Sequence, residues 1–356
     1  MAEVVEEKDI YERLREFVDA MPGGFPATEN GVELKILKKL FAPEDAVMAL
    51  CLSRQTEPVE SIAERCGMEV VEVEGRLESM AARGLIFKQV QEGRALYRAE
   101  QYVVGIYEFQ IPTMDREFAE MMEEYFLYLG MPMLANPTKQ LRTIPVHSAL
   151  EMAPAVAAYD RVRELVKEQE TIVINDCVCR KQQRLLGSEC GRPFEGCLGF
   201  GPMAEFYLER GLGRRASVEE ALELLDHSEE AGQVLQPNNA QHIDFVCSCC
   251  SCCCGVLKNL KLFPNPAEFI ESSYQAQKDR EKCVECETCM ERCPMDAIVV
   301  AGEEMRVDPA RCIGCGVCVP SCPEEAISLV PKEGALVPPM NGDELLDRIL
   351  VERGLV

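Results

Sequence analysis

The 356-residue chain contains no tryptophan and only three histidines, His147, His227 and His242. Whatever metal chemistry it supports must therefore be thiolate chemistry, which suits iron–sulfur or zinc centres. Cationic side chains are also scarce, with 37 Lys and Arg against 61 Asp and Glu, a net charge of −24. That balance argues against a nucleic-acid polyanion as main partner and favours a partner protein with a basic docking patch. No run approaches the roughly 18 apolar residues of a membrane span. The start, "MAEVVEEKDIYERLREF", lacks the basic opening and apolar stretch of a secretory signal. A cytoplasmic protein without a membrane span is expected. P-loop lysine patterns and nucleophile elbows are missing too. "GFGPMA" (199–204) and "GLGRRA" (211–216) fit G-x-G-x-x-A, but neither directly follows an apolar strand, and the acidic residue for a ribose is lacking. What the chain has in excess is cysteine, twenty of them. A reducing compartment leaves few disulfides, so ligation of metal or clusters is the better explanation.

Five segments are expected: 1–110, 111–170, 171–280, 281–332 and 333–356. In the first, "GVELKILKKLF", "PEDAVMALCLS", "PVESIAERCG" and "EVVEVEGRLESMAARG" read as successive helices. "LIFKQV" and "ALYRA", joined at Glu92-Gly93, read as a hairpin. The order resembles a winged helix-turn-helix domain. Such a resemblance implies DNA binding, but the helix that would enter the groove carries Glu69, Glu72, Glu74 and Glu78 against Arg76 and Arg83. Phosphate contacts supply most non-specific affinity, so protein docking or homodimerisation is the expected role. Cys51 and Cys66 are read as core residues. Residues 111–170 read as a helical connector broken by prolines, with Met114, Met121, Met122, Met131 and Met133 as core filler. The tail, "NGDELLDRILVERGLV", reads as a capped amphipathic helix.

Two stretches near the C-terminus repeat each other. "CVECETCMERCPMDAI" (283–298) and "CIGCGVCVPSCPEEAI" (312–327) are both C-x2-C-x2-C-x3-C-P, each followed by Ala-Ile. A zinc site would need only paired C-x2-C; four spaced thiolates suit a cubane. The repeat resembles bacterial two-[4Fe–4S] ferredoxins over about fifty residues, implying a βαββαβ dicluster domain. Carried over residue by residue, the resemblance gives one cluster Cys283, Cys286, Cys289 and Cys322. It gives the other Cys312, Cys315, Cys318 and Cys293. Where the second loop has Gly314 and Gly316, the first has Glu285 and Glu287, with Glu291 nearby. Negative charge beside a cluster disfavours reduction, so the first cluster is expected to have the lower potential.

The middle segment holds ten cysteines. "ETIVIND" reads as a buried strand entering Cys177-Val-Cys179, and "HIDFV" as another entering "CSCCSCCCG" (247–255). Between them lie two helices, "PMAEFYLERG" and one opening on the capping box Ser217–Glu220. If the strands are parallel neighbours in an α/β sheet, their C-terminal ends share an edge. Cys177 and Cys179 would then face Cys247, Cys249, Cys250, Cys252, Cys253 and Cys254. Cys190 and Cys197, in the loop "ECGRPFEGCLGFG", could close over the same place. Adjacent residues of an extended chain point to opposite sides, so either some of these thiols are not ligands or two centres share the strip. The alternatives are an additional iron–sulfur cluster, zinc, or a redox-active dithiol.

The whole is similar to multidomain ferredoxin-type proteins of anaerobic bacteria and archaea, which implies electron transfer without naming a substrate. Cys253-Cys254-Gly255 also resembles the cysteine-rich motif of heterodisulfide reductase subunits, whose other spacings are absent. The expected class is an α+β multidomain, low-potential electron-transfer protein with two [4Fe–4S] clusters and a third thiolate-bound centre. Its expected partner is a redox protein. The rivals are a redox-sensing winged-helix regulator and an oxidoreductase subunit acting on a thiol or disulfide.

Overall fold

The computed structural model describes residues 8–151, 156–302 and 304–356, apart from the side chains of 131–134 and 301. The chain divides into two compact units, one ending at Met133 and the other beginning at Leu134.

The first unit opens with α1 (Ile10–Asp19), α2 (Val32–Leu40) and α3 (Pro43–Ala49). Asp9 caps α1 by accepting from the Tyr11 amide, 3.2 Å away. A two-residue strand, β1 (Glu57–Pro58), leads into α4 (Val59–Cys66), which Gly67 ends in the left-handed conformation. Then come α5 (Val70–Ala82) and the hairpin β2 (Phe87–Gln91) and β3 (Arg94–Arg98). Glu92 and Gly93 both have positive φ, as a two-residue hairpin turn requires. The four expected helices and both hairpin strands are present, and β1 completes a β1-β3-β2 sheet. Helix α5 buries Val73, Leu77 and Met80 and exposes Glu69, Glu72 and Glu74. Cys51 and Cys66 are half-buried rather than in the core. Burial and a hydrogen bond to Cys51 push the Cys66 thiol up to about 12. The short α6 (Tyr107–Phe109) and the long α7 (Arg116–Ala135) follow. Met114 and Met122 are buried as expected and Met121 half so, while the side chains of Met131 and Met133 lie outside the described ones.

The second unit contains α8 (His147–Glu151) and α9 (Val162–Lys167), then β4 (Ile172–Asp176) and α10 (Val178–Leu185). Next come β5 (Glu195–Phe200), α11 (Gly201–Glu209), β6 (Gly213–Ala216) and α12 (Val218–Glu230). The strands β7 (Val234–Pro237) and β8 (Phe245–Cys249) complete a five-stranded sheet in the order β6-β4-β5-β8-β7. Every neighbouring pair in it is antiparallel. The expected parallel pairing of β4 with β8 is therefore corrected: β5 lies between them. The segment containing β5 reads as loop because Gly196 and Gly199 interrupt its apolar pattern. Both glycines have tertiary causes. A Cβ at Gly196 would collide with the Arg180 guanidinium, and one at Gly199 would stand 2.9 Å from Val173. Two antiparallel steps still leave β4 and β8 pointing the same way, so both deliver their cysteine-bearing ends to one sheet edge. Ile172, Ile174, Leu198 and Val246 pack with Leu165 of α9 and Leu224 of α12 in one core cluster.

After α13 (Gly255–Leu260) the chain forms β9 (Tyr274–Lys278), α14 (Thr288–Arg292), β10 (Ile298–Ala301), β11 (Glu304–Val307) and β12 (Ile327–Pro331). β9 pairs with β12, and β10 with β11, both antiparallel. The expected βαββαβ order is corrected at one element. The second helix is a turn spanning 317–321, where β-branched Val317 and Val319 and the interior Pro320 oppose a helix. The expected connector is not purely helical. Its extended part bridges Leu141 to Asn238 and Ile144 to Leu235, and the Val146 amide donates to the Cys315 carbonyl at 3.0 Å. The tail forms α15 (Gly342–Glu352), capped by Asn341. It buries Leu345, Ile349 and Leu350. Its Glu352 carboxylate accepts from Asn136 and from both the amide and hydroxyl of Thr138, so the helix packs back onto this unit.

Candidate metal centres

The two repeats place their cysteines around tight loops. Glu285, Glu287, Gly314 and Gly316 all have positive φ, between 56° and 74°. The left-handed turn after each x-residue is thus a shared requirement of the spacing. The Ala-Ile pair also acquires a reason. The Ala297 amide donates to Cys293 Sγ at 3.2 Å and the Ala326 amide to Cys322 Sγ at 3.2 Å. Ile298 and Ile327, which follow, are buried at the starts of β10 and β12. The Ala276 amide of β9 donates to Cys312 Sγ at 3.3 Å. Burial pushes the Cys289 thiol up to about 11, and Cys322, Cys286 and Cys283 are the thiols close enough to act on it. Burial likewise raises Cys315, with Cys293 and Cys312 beside it. Cys318 is raised in the same way, beside Cys315, Cys293, Cys312 and Cys289. Cys322 of the second repeat thus lies near Cys289 of the first, and Cys293 of the first lies near Cys315 and Cys318 of the second. Buried thiols of this kind give up their protons readily only to a cation, and the amide donors suit ligated sulfur. The residues fit iron–sulfur clusters.

The ten central cysteines divide into two groups. Cys177, Cys179, Cys254, Cys249, Cys247 and Cys197 form a closed ring in which each thiol lies beside the one before and the one after. Their neighbouring thiols lower Cys177 and Cys254 and take Cys247 to about 6. Thiol neighbours and burial raise Cys179, Cys197 and Cys249 between them. Six negative charges so close together would repel strongly, so a bound cation is what would let most of these thiols ionise together. Cys190, Cys250, Cys252 and Cys253 stand apart as a second group. The shared sheet edge explains the ring. Cys177 and Cys179 follow β4, Cys197 lies on β5, and Cys247 and Cys249 lie on β8. Cys197 is directly paired with Cys247. Cys254 returns to the ring at the start of α13.

Residues 276–329 match the family model of the 4Fe-4S dicluster domain. This is an iron–sulfur protein. No curated protein and no solved structure matches the chain. In this iron–sulfur chain the dicluster segment and the ring share one hydrophobic core. Cys249 and Cys254 pack in the same cluster as Cys289, Cys315 and Cys318. Among the described residues, no helix is long and apolar enough to cross a membrane.

Sequence reasoning missed Arg180. It is buried in α10, donates through Nη2 to the Ser248 carbonyl, and leaves Nε and Nη1 without a hydrogen-bond partner. Its charge acts on Cys177, Cys197 and Cys249 of the ring and on Cys250 of the other group. Gly196 was the available signal, since only a missing Cβ admits the guanidinium. A buried arginine beside thiolates offsets their charge and favours their ionised form.

The acidic first loop has competing effects. Glu285, Glu287 and Glu291 are exposed, so water and salt screen them. Meanwhile Cys312, Cys315 and Cys318 are buried whereas Cys286 is exposed, and burial also disfavours an added electron. The charge effect is isolated by Glu285→Gln with Glu287→Gln, which keeps the backbone. Redox titration should find one midpoint raised by up to about 60 mV, a tenfold change for one electron, and the other unmoved. Two unchanged midpoints would remove any role for these carboxylates.

Proposed function

We propose that this protein carries electrons between redox partners through two [4Fe–4S] clusters and a third iron–sulfur centre. One cluster would be held by Cys283, Cys286, Cys289 and Cys322, the other by Cys312, Cys315, Cys318 and Cys293. The third would lie in the ring of Cys177, Cys179, Cys197, Cys247, Cys249 and Cys254, which has two more thiols than a cubane uses. Bound clusters supply one-electron chemistry at low potential; the chain sets burial, charge and amide donors around them. The supporting observation is the common hydrophobic core: Cys249 and Cys254 of the ring and Cys289, Cys315 and Cys318 of the dicluster segment belong to one contiguous cluster of buried side chains.

The docking face suggested for a basic partner is a groove of about 840 Å³. Asp226, Glu229, Glu230 and Glu291 supply its acidic lining. Thr288 and Ser321, also lining it, adjoin Cys289 and Cys322. The first unit, read as a winged helix, would dock a protein or a second copy. The exposed glutamates of α5 support that role over DNA binding.

Anaerobic purification followed by iron and sulfide quantitation and EPR tests the reading. About twelve or more irons per chain are expected, with reducible cluster signals. About eight would leave only the dicluster pair, and a chain without reducible clusters would end the proposal.

A further inference from the structure

The strip "CSCCSCCCG" sends its thiols two ways. Cys247, Cys249 and Cys254 join the ring, whereas Cys250, Cys252 and Cys253 turn aside. A backbone turn causes the division: the amides of Cys253 and Cys254 both donate to the Cys250 carbonyl, at 3.4 and 3.0 Å. The three diverted thiols meet Cys190, from the connection between α10 and β5.

All four sulfurs lie within 4.8 Å of one another. Cys190 and Cys250 are 4.0 Å apart, and Cys252 and Cys253 are 3.8 Å apart. A single ion with sulfurs at about 2.3 Å in a tetrahedron holds them about 3.8 Å from each other. A cubane assigns each thiolate to a different iron and spreads the four more widely. Among the described residues, no other trio of possible ligands meets the 4.8 Å limit, including the dicluster cysteines and the ring. The spacing therefore distinguishes a mononuclear site from the multi-iron ones.

We propose that Cys190, Cys250, Cys252 and Cys253 bind one structural zinc ion. Four thiolates with no open position form a closed tetrahedral site. Sulfur-only coordination selects a soft or borderline metal and disfavours magnesium or calcium. The surroundings suit the excess negative charge such a centre carries. Arg192 Nη1 reaches Cys252 Sγ at 3.5 Å, and the Arg180 cation lies near Cys250. The zinc would tie the α10–β5 connection to the turn after β8. Both adjoin strands that bear ring cysteines, so the ion would hold the edge of the ring closed without exchanging electrons. This site stands independently of the electron-transfer reading, because it takes none of the ring or dicluster thiols.

The test uses the full chain, purified anaerobically, with zinc and iron measured together and zinc-edge X-ray absorption on the wild type. About one zinc per chain is expected, with four sulfurs at about 2.3 Å. Cys190→Ser combined with Cys252→Ser should lower zinc at least fivefold and leave iron unchanged. Cys252 is exposed, which limits the packing cost of changing it. If the variant fails to fold, the wild-type absorption spectrum decides alone. Absence of zinc from the wild type overturns the proposal. So does a first shell containing nitrogen or oxygen, zinc retained by the variant, or iron lost in its place.

Discussion

Gly314→Ala is expected to destabilise the second unit by about 2–4 kcal/mol and to deprive the chain of about four irons. Gly314 has φ +70°, where a Cβ costs about 1 kcal/mol. The added methyl would also enter the space of the Tyr274 carbonyl oxygen and the Ser272 hydroxyl. Tyr274 begins β9 and is 3% exposed, so its backbone has little room to retreat. Overpacking against such a neighbour adds about 1–3 kcal/mol. The damage reaches the cluster because β9 also supplies the Ala276 amide to Cys312 Sγ. Gly334→Ala is the control: its φ is +73°, but nothing lies within 4 Å of where the new methyl would stand. That variant should lose only about 1 kcal/mol and no iron. Denaturation midpoints and iron content for the pair give the answer. If the two variants behave alike, the close approach of β9 to this loop is of no consequence.

Cys254→Ser should lower iron from about twelve to about eight per chain while leaving the dicluster EPR signals in place. Cys254 is buried at the N-cap of α13, and serine is both isosteric and a favourable N-cap. Loss of helix or fold is therefore a poor explanation for any missing metal. The hydroxyl cannot replace a soft thiolate, and the ring opens between Cys179 and Cys249. Cys249→Ser, on β8, should give the same iron loss from a different element. Zinc should be untouched by both, since neither residue belongs to the tetrathiolate. Unchanged iron in both variants would mean that neither Cys249 nor Cys254 is a cluster ligand.

Much of the chemistry was legible because it is local. A C-x2-C-x2-C-x3-C-P run needs left-handed residues between its thiols and an amide four residues beyond its last one. All of these lie within one repeat. The helices and hairpin of the first unit were legible for the same reason, through Gly67, Gly84 and the Glu92-Gly93 turn. Strand β5 was not. Its glycines read as loop punctuation, although Gly196 seats Arg180 from α10 and Gly199 accommodates Val173 from β4. The inserted strand replaced the expected parallel pair.

The sequence by itself determined that thiolate ligation dominates this chain and that two cluster loops repeat near its end. It could not say which of the ten central thiols belong together, because 60 residues separate Cys190 from Cys250. That choice was made by the antiparallel sheet and the turn at Cys250. The strand ends gather five sulfurs at one edge and the start of α13 adds a sixth, while the turn rotates three others toward a distant loop. Strand order and side-chain direction depend on packing between remote segments, and local spacing carries no record of either.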